Sequence, residues 1–161
     1  MSVSAQVDRF VHQRLPAPAQ MPQLLFDAPE LQFPAQLNAV EELLDKAAHK
    51  GFASRPLLRS DTLTLSYAQT LDRVNRIAWV LVQDFGLVAG NRVLLRGGNS
   101  IGLALAWLAV VKAGLVAVPT MPLLRAKELG DIIDKSQPVL ALCVMPGCCR
   151  NWSWRARITR C

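Results

Sequence analysis

The closing stretch "GCCRNWSWRARITRC" holds three of the four cysteines, two of the four tryptophans and four arginines, with no acid. Thiolates could bind zinc, oxidised pairs could form disulfides, and arginines beside indoles could grip single-stranded RNA. Each chemistry meets an obstacle. Cys143, Cys148, Cys149 and Cys161 lack the spacing of a zinc site and have no nearby histidine. The opening "MSVSAQVDRFVHQRLPAPAQ" carries charges and His12 where an export signal needs an apolar core, so disulfides are not expected. Removing the tail's four arginines from the formal charge of +6 leaves +2, so the basic balance belongs mainly to the tail and speaks weakly for nucleic acid.

Upstream, the residue types offer less. Arg96, Gly97, Gly98, Asn99 and Ser100 follow a predicted strand and open a predicted helix, where backbone N–H groups favour anions. Their spacing fits neither the dinucleotide nor the Walker fingerprint, and a plain strand-to-helix turn is the expectation. His12 and His49 stand alone. Asp131 and Asp134 share a helix with Lys127, Glu128 and Lys135 and read as a solvated face. No nucleophile–base pair, carboxylate pair or metal-spaced cluster is visible, so the expectation is no catalytic, cofactor-binding or metal residue.

The elements that would position such groups are easier to read. Residues 1–35, with Pro16, Pro18, Pro22, Pro29 and Pro34, form an extended arm expected to pack through Leu24, Leu25, Phe26, Leu31 and Phe33. Asn38 caps a short helix to Lys50, with Val40, Leu43, Leu44 and Ala47 on one face and Gly51 ending it. "RPLLRSDTLTLS" gives two short strands turning at Ser60 and Asp61. Ser66 caps a long helix whose Leu71, Val74, Ile77, Ala78, Leu81, Val82 and Phe85 keep helical spacing.

"RVLLR" is then a strand, and Ser100 caps an apolar helix to Ala113. "LVAVP" is a strand, residues 124–135 an amphipathic helix, and "PVLALCV" a strand. Such alternation predicts an α/β fold with a mostly parallel sheet and flanking helices. "LVAVP" and "VLALCV" are apolar throughout, as strands buried on both faces should be. Residues 101–124 carry only Lys112 as a charge and could span a bilayer by length. Gly114, Pro119 and Pro122 interrupt them, and a buried helix followed by a strand is expected, with no membrane span.

Several elements together carry a resemblance. Thr64, Ser66 and Tyr67 ("T-x-S-Y"), "VNRIA", "G-L-x-x-G-N-R-V", Asn99, "A-V-V-K-A-G" and "V-P-T-M-P-L-L-R-A-K-E-L" follow in order. They resemble the opening subdomain of the adenylate-forming superfamily of acyl- and aryl-CoA ligases. "VHQRLPAPAQMPQLLFDAPELQFPAQLNAVEELLD" looks like the start of the 2-aminobenzoate- and benzoate-CoA ligase group. The resemblance covers about residues 9–143. It implies a full-length enzyme that uses ATP and magnesium to turn an aromatic acid into an acyl-adenylate, then a thioester of coenzyme A. Its phosphate loop, adenosine motifs and transfer lysine lie beyond the matched segment, so no catalytic or cofactor-binding residue is carried over. A cytoplasmic location and no nucleic-acid or membrane partner follow. The competing expectation is a stand-alone, non-enzymatic binding module using the basic Cys/Trp/Arg tail.

The genetic code offers another origin for the tail. Cys and Trp codons begin TG, and any base placed before TG encodes Leu, Met or Val. Read two bases along, Cys148, Cys149, Trp152 and Trp154 become apolar positions on one broad helical face. With GC-rich codons, the shifted frame can read "DAGLLPELELARAHHPV". The expected organisation is therefore an arm over residues 1–35, a truncated AMP-binding ligase domain over 36–144, and an off-frame tail over 145–161.

Overall fold

The computed structural model describes residues 4–143. Residues 12–37 carry three short 3-10 turns and are exposed throughout. This corrects the expectation for the arm's apolar residues. Leu24, Leu25 and Phe33 are 68%, 67% and 58% exposed, and the arm instead packs through the residues before them. Proline-rich chain lacks the backbone donors that would pair it to a sheet, so its leucines have no scaffold to press them inward.

The Asn38 carboxamide starts the next segment as expected. Its Oδ1 accepts from the Val40 N–H at 3.0 Å, and its Nδ2 donates to the Lys112 carbonyl at 3.0 Å. The helix then widens into π-helical turns at Glu41–Asp45 and Ala48–Phe52, with Gly51 at φ +80°. Val40, Leu44 and Ala47 are buried, but Leu43 is 56% exposed, against the expectation that it shares their face.

Strands β1 (Pro56–Arg59) and β2 (Thr64–Ser66) form an antiparallel hairpin, and the Ser60 N–H donates to the Leu63 carbonyl at 2.8 Å across its turn. Helix α1 (Tyr67–Gln83) opens with a reciprocal cap. The Gln69 N–H donates to Ser66 Oγ, and the Ser66 N–H donates to Gln69 Oε1. Of its predicted apolar face, Val74 and Leu81 are buried, whereas Val82 is exposed.

Then follow β3 (Arg92–Arg96), α2 (Ile101–Lys112), β4 (Val116–Thr120), α3 (Ala126–Ser136) and β5 (Leu140–Cys143). The sheet is parallel in the order β4-β3-β5. β3 is therefore central, and Val93, Leu94 and Leu95 are buried. β4 and β5 border it and are mostly half-buried, correcting the view that these two apolar strands occupy the interior.

Val93 and Leu95 join Leu81, Ala106, Val110 and Leu140 in one core cluster. Val40, Leu44, Leu65, Val74, Leu105 and Ala109 form a second. Helix α2 contributes to both, which explains its nearly uniform apolar sequence. Each fully buried leucine or valine here contributes about 1.5–3 kcal/mol through area removed from water. Among the described residues, no helix is long and apolar enough to cross a membrane.

Candidate functional site

Open parallel sheets commonly bind ligands beyond the carboxyl ends of their strands. Here that end carries an apolar groove of about 410 Å³. Leu95 of β3 and its register partner Pro119 of β4 line it. Leu103 and Trp107 of α2 and Leu57 and Leu58 of the hairpin line it too. Leu43, turned out of its helix's buried face, contributes as well. The polar groups are those of Tyr67, Asn99, Ser100 and the Trp107 indole N–H, and no charged side chain lines the groove. Such a surface can take an apolar or aromatic body.

The turn from Arg96 to Ser100 borders this groove but is committed to structure. Arg96 Nη1 donates to the Met121 carbonyl at 3.1 Å, while Nη2 donates to those of Pro122 and Leu124 at 2.9 and 2.8 Å. The guanidinium thus fastens the loop after β4. Ser100 Oγ accepts from the Leu103 N–H at 3.1 Å and caps α2. The turn's one cation is thus bound to three carbonyls of that loop.

The other sequence candidates remain scattered. His12 lies on the arm, its Nε2 2.8 Å from Ser4 Oγ, and His49 is exposed in a π-helical turn. Asp131 and Asp134 are exposed on α3 with Lys127, Glu128 and Lys135. Cys143 closes β5, while Cys148, Cys149 and Cys161 lie outside the described residues, as does the proposed off-frame segment. Among the described residues, no group of three His, Cys, Asp or Glu could hold a metal ion.

At the opposite, amino end of the sheet is a polar cluster that sequence patterning missed. Arg92 is only 6% exposed and pairs with Asp8. Its Nε donates to the Ser136 carbonyl at 3.0 Å and its Nη2 to the Gln137 carbonyl at 2.9 Å. The Phe10 ring receives Arg92 at 4.1 Å and Arg14 at 3.6 Å from its centroid. The Asp8 carboxyl is held below its ordinary range, first by the Phe10 N–H, against the opposing effect of burial, with Arg92 and Asn91 each adding a smaller lowering. The available signal was an arginine at the start of a strand whose next three residues are apolar, a place where a charge needs a partner.

The model of the AMP-binding enzyme family matches residues 44–158. The chain belongs to the AMP-binding enzyme family. This match continues past residue 143, where the resemblance read from the sequence stops. A salicyl-AMP ligase / salicyl-S-ArCP synthetase from Mycobacterium tuberculosis is 41% identical over 66 residues, covering 41% of this chain and 12% of that protein. An oxalate–CoA ligase from Arabidopsis thaliana is 30% identical over 105 residues, covering 65% of this chain and 20% of that protein.

Among solved structures, Klebsiella oxytoca NpsA in complex with 3-hydroxyanthranilyl-AMSN has a TM-score of 0.61 at 25% identity. That likeness covers 67% of this chain and 22% of NpsA. Apo MatB from Rhodopseudomonas palustris has a TM-score of 0.59 at 28% identity, covering 65% of this chain and 20% of MatB. This AMP-binding family chain therefore spans a fifth or less of those two curated relatives. Its α/β architecture is that of the N-terminal subdomain of adenylate-forming enzymes.

Proposed function

We propose that this chain is the opening part of an ATP-dependent aryl-CoA ligase of the 2-aminobenzoate or benzoate type, inactive by itself. The family match over residues 44–158 carries the adenylate-forming part of this reading. The aromatic acid is supported by the arm's resemblance to that ligase group and by the NpsA N-terminal subdomain in complex with anthranilyl-AMSN. The latter has a TM-score of 0.60 at 25% identity. An anthranilyl group is a 2-aminobenzoyl group.

A carboxylate becomes a good electrophile when one oxygen leaves as a phosphate, which demands neutralisation of developing charge. ATP, magnesium and coenzyme A belong to the whole enzyme, in the cytoplasm. This chain contributes scaffold and the apolar groove. Residues 145–161 are proposed to be an off-frame end of the domain that spans 36–144. The competing reading is an in-frame tail that follows the family pattern to 158.

The test is ATP–pyrophosphate exchange with benzoate and 2-aminobenzoate, on the purified chain and on a version continued in the alternative frame. The expected result is no exchange above a blank for the first and exchange with aromatic acids for the second. Exchange by the chain alone overturns its inactivity. A continued enzyme that prefers aliphatic acids overturns the aromatic reading. An alternative frame closed by stops, without a Thr/Ser/Gly-rich loop ending in Pro-Lys, overturns the off-frame tail.

A second reading concerns only the thiol acceptor. The relative named salicyl-S-ArCP synthetase and the artificially fused NpsA-ThdA adenylation-PCP di-domain both favour a carrier protein in place of coenzyme A. Offering each thiol to the continued enzyme with preformed adenylate distinguishes them.

A further inference from the structure

The arm meets the folded body at the amino end of the sheet, and that contact is built in detail. The N–H groups of Val7 and Asp8 both donate to the Ala89 carbonyl at 2.9 Å. Asn91 Nδ2 donates to Asp8 Oδ2 at 2.8 Å, and Arg92 Nη1 pairs with the same oxygen. The Phe10 N–H closes on Asp8 Oδ1 at 2.9 Å, holding the carboxylate toward these partners. Gly90 leaves room for the segment, because a Cβ there would lie 2.3 Å from the Asp8 carbonyl oxygen. Beyond this seat, the hydrogen bonds of residues 12–37 close within the arm, and the body is met again at Asn38.

The partner of Asp8 also serves a distant element. The last carbonyls of a helix lack intrahelical donors, and a cation there is favoured. Arg92 supplies both needs to α3 through the Ser136 and Gln137 carbonyls. Gln137 adopts the left-handed conformation at φ +43° without being glycine, so this helix end depends on outside support. The Val139 N–H then donates to the Arg92 carbonyl at 2.9 Å and leads the chain into β5. One arginine therefore joins the arm, the start of the central strand, the end of α3 and the entry to an adjacent strand.

We propose that residues 6–10 are a latch for the α3–β5 end of the sheet. Asp8 orients Arg92, and Arg92 holds the helix end. With Asp8 seated, the guanidinium keeps its fork toward the two α3 carbonyls. When the latch leaves, the guanidinium loses its anion and the flanking Phe10 face, and turns to water. The α3 end then loses its donors. Arm seating and the docking of α3–β5 are thus one coupled event. Asp8 and Phe10 act here as positioning residues.

Amide hydrogen exchange on the full chain tests the coupling, comparing Asp8→Asn, Arg92→Lys and the parent. Asp8→Asn keeps the side-chain shape and removes the anion. It is expected to speed exchange about tenfold at Val7 and Asp8 and also at Gln137 and Val139, with α1 and α2 unchanged. Arg92→Lys keeps the charge but cannot fork to two carbonyls. It is expected to loosen Gln137 and Val139 more than Val7 and Asp8. Loosening of residues 4–11 alone in Asp8→Asn would overturn the latch, leaving a passive arm. A uniform rise that includes α1 and α2 would overturn it too, as ordinary destabilisation. Should Arg92→Lys fail to fold, Asp8→Asn still decides the question, since it releases the latch and leaves Arg92 intact.

Discussion

Gly90→Ala is the sharpest perturbation of this structure. Gly90 has φ +92°, and an added Cβ would lie 2.3 Å from the Asp8 carbonyl oxygen and 3.1 Å from Gln6 Cβ. The first contact is with backbone and cannot be relieved by a rotamer change. Holding alanine at positive φ costs about 1–2 kcal/mol. Displacing the arm forfeits two hydrogen bonds to Ala89, at about 1 kcal/mol each, and the pairing of a nearly buried Arg92. Breaking a buried ion pair costs about 3–5 kcal/mol, discounted here to about 1–2 because Asp8 reaches solvent. The expected loss is about 4–6 kcal/mol, enough to consume most of a small domain's stability. Urea unfolding followed by far-ultraviolet circular dichroism measures it. In a chain beginning at residue 12, the same substitution should cost only the conformational part, about 1–2 kcal/mol. Equal losses in the two backgrounds would refute the reasoning, because the clash with the arm would then contribute nothing.

Leu95→Ala in the central strand should cost about 2–5 kcal/mol in the same assay, while Val118→Ala in half-buried β4 should stay below about 1.5 kcal/mol. Comparable losses would contradict the placement of β3 in the centre. Asp8 has a carboxyl pKa below its unfolded value of about 3.9, so its contribution is complete above that pH and fades as the pH falls through the lower folded value. The charged groups gathered there are Arg92 and, against the Phe10 ring, Arg14. An acid titration of stability should therefore lose this slope in Asp8→Asn; an unchanged slope would show that Asp8 does not supply it. Trp107→Glu, at the exposed wall of the groove, should lower binding of an apolar dye and raise solubility. No change in either would mean that the groove does not act as an exposed apolar surface.

Local chemistry was readable along the chain. Ser66 with Gln69, and Ser100 before an apolar run, mark helix starts because a side-chain oxygen can reach only the nearest unsatisfied N–H groups. The turn at Ser60 and the alternation of strand and helix from Arg92 onward follow from equally short-range rules, and the structure has both. The family, too, was legible, because its motifs keep their order and spacing along this segment.

Tertiary structure decided what those rules do not reach. "LVAVP" and "VLALCV" look more interior than "RVLLR", yet β3 pairs on both sides and takes the centre. Hydrophobicity reports how much surface wants cover, whereas strand order depends on which backbones find one another. Likewise, Leu43 keeps an apolar spacing, but π-winding turns it out to line the groove. Leu24, Leu25, Phe26, Leu31 and Phe33 resemble buried anchors, yet Asp8 and Phe10 do the anchoring. The Asp8–Arg92 pair spans 84 positions. No periodicity carries such a contact, because a charge at a strand end is ordinary until folding removes its water and obliges it to find an anion.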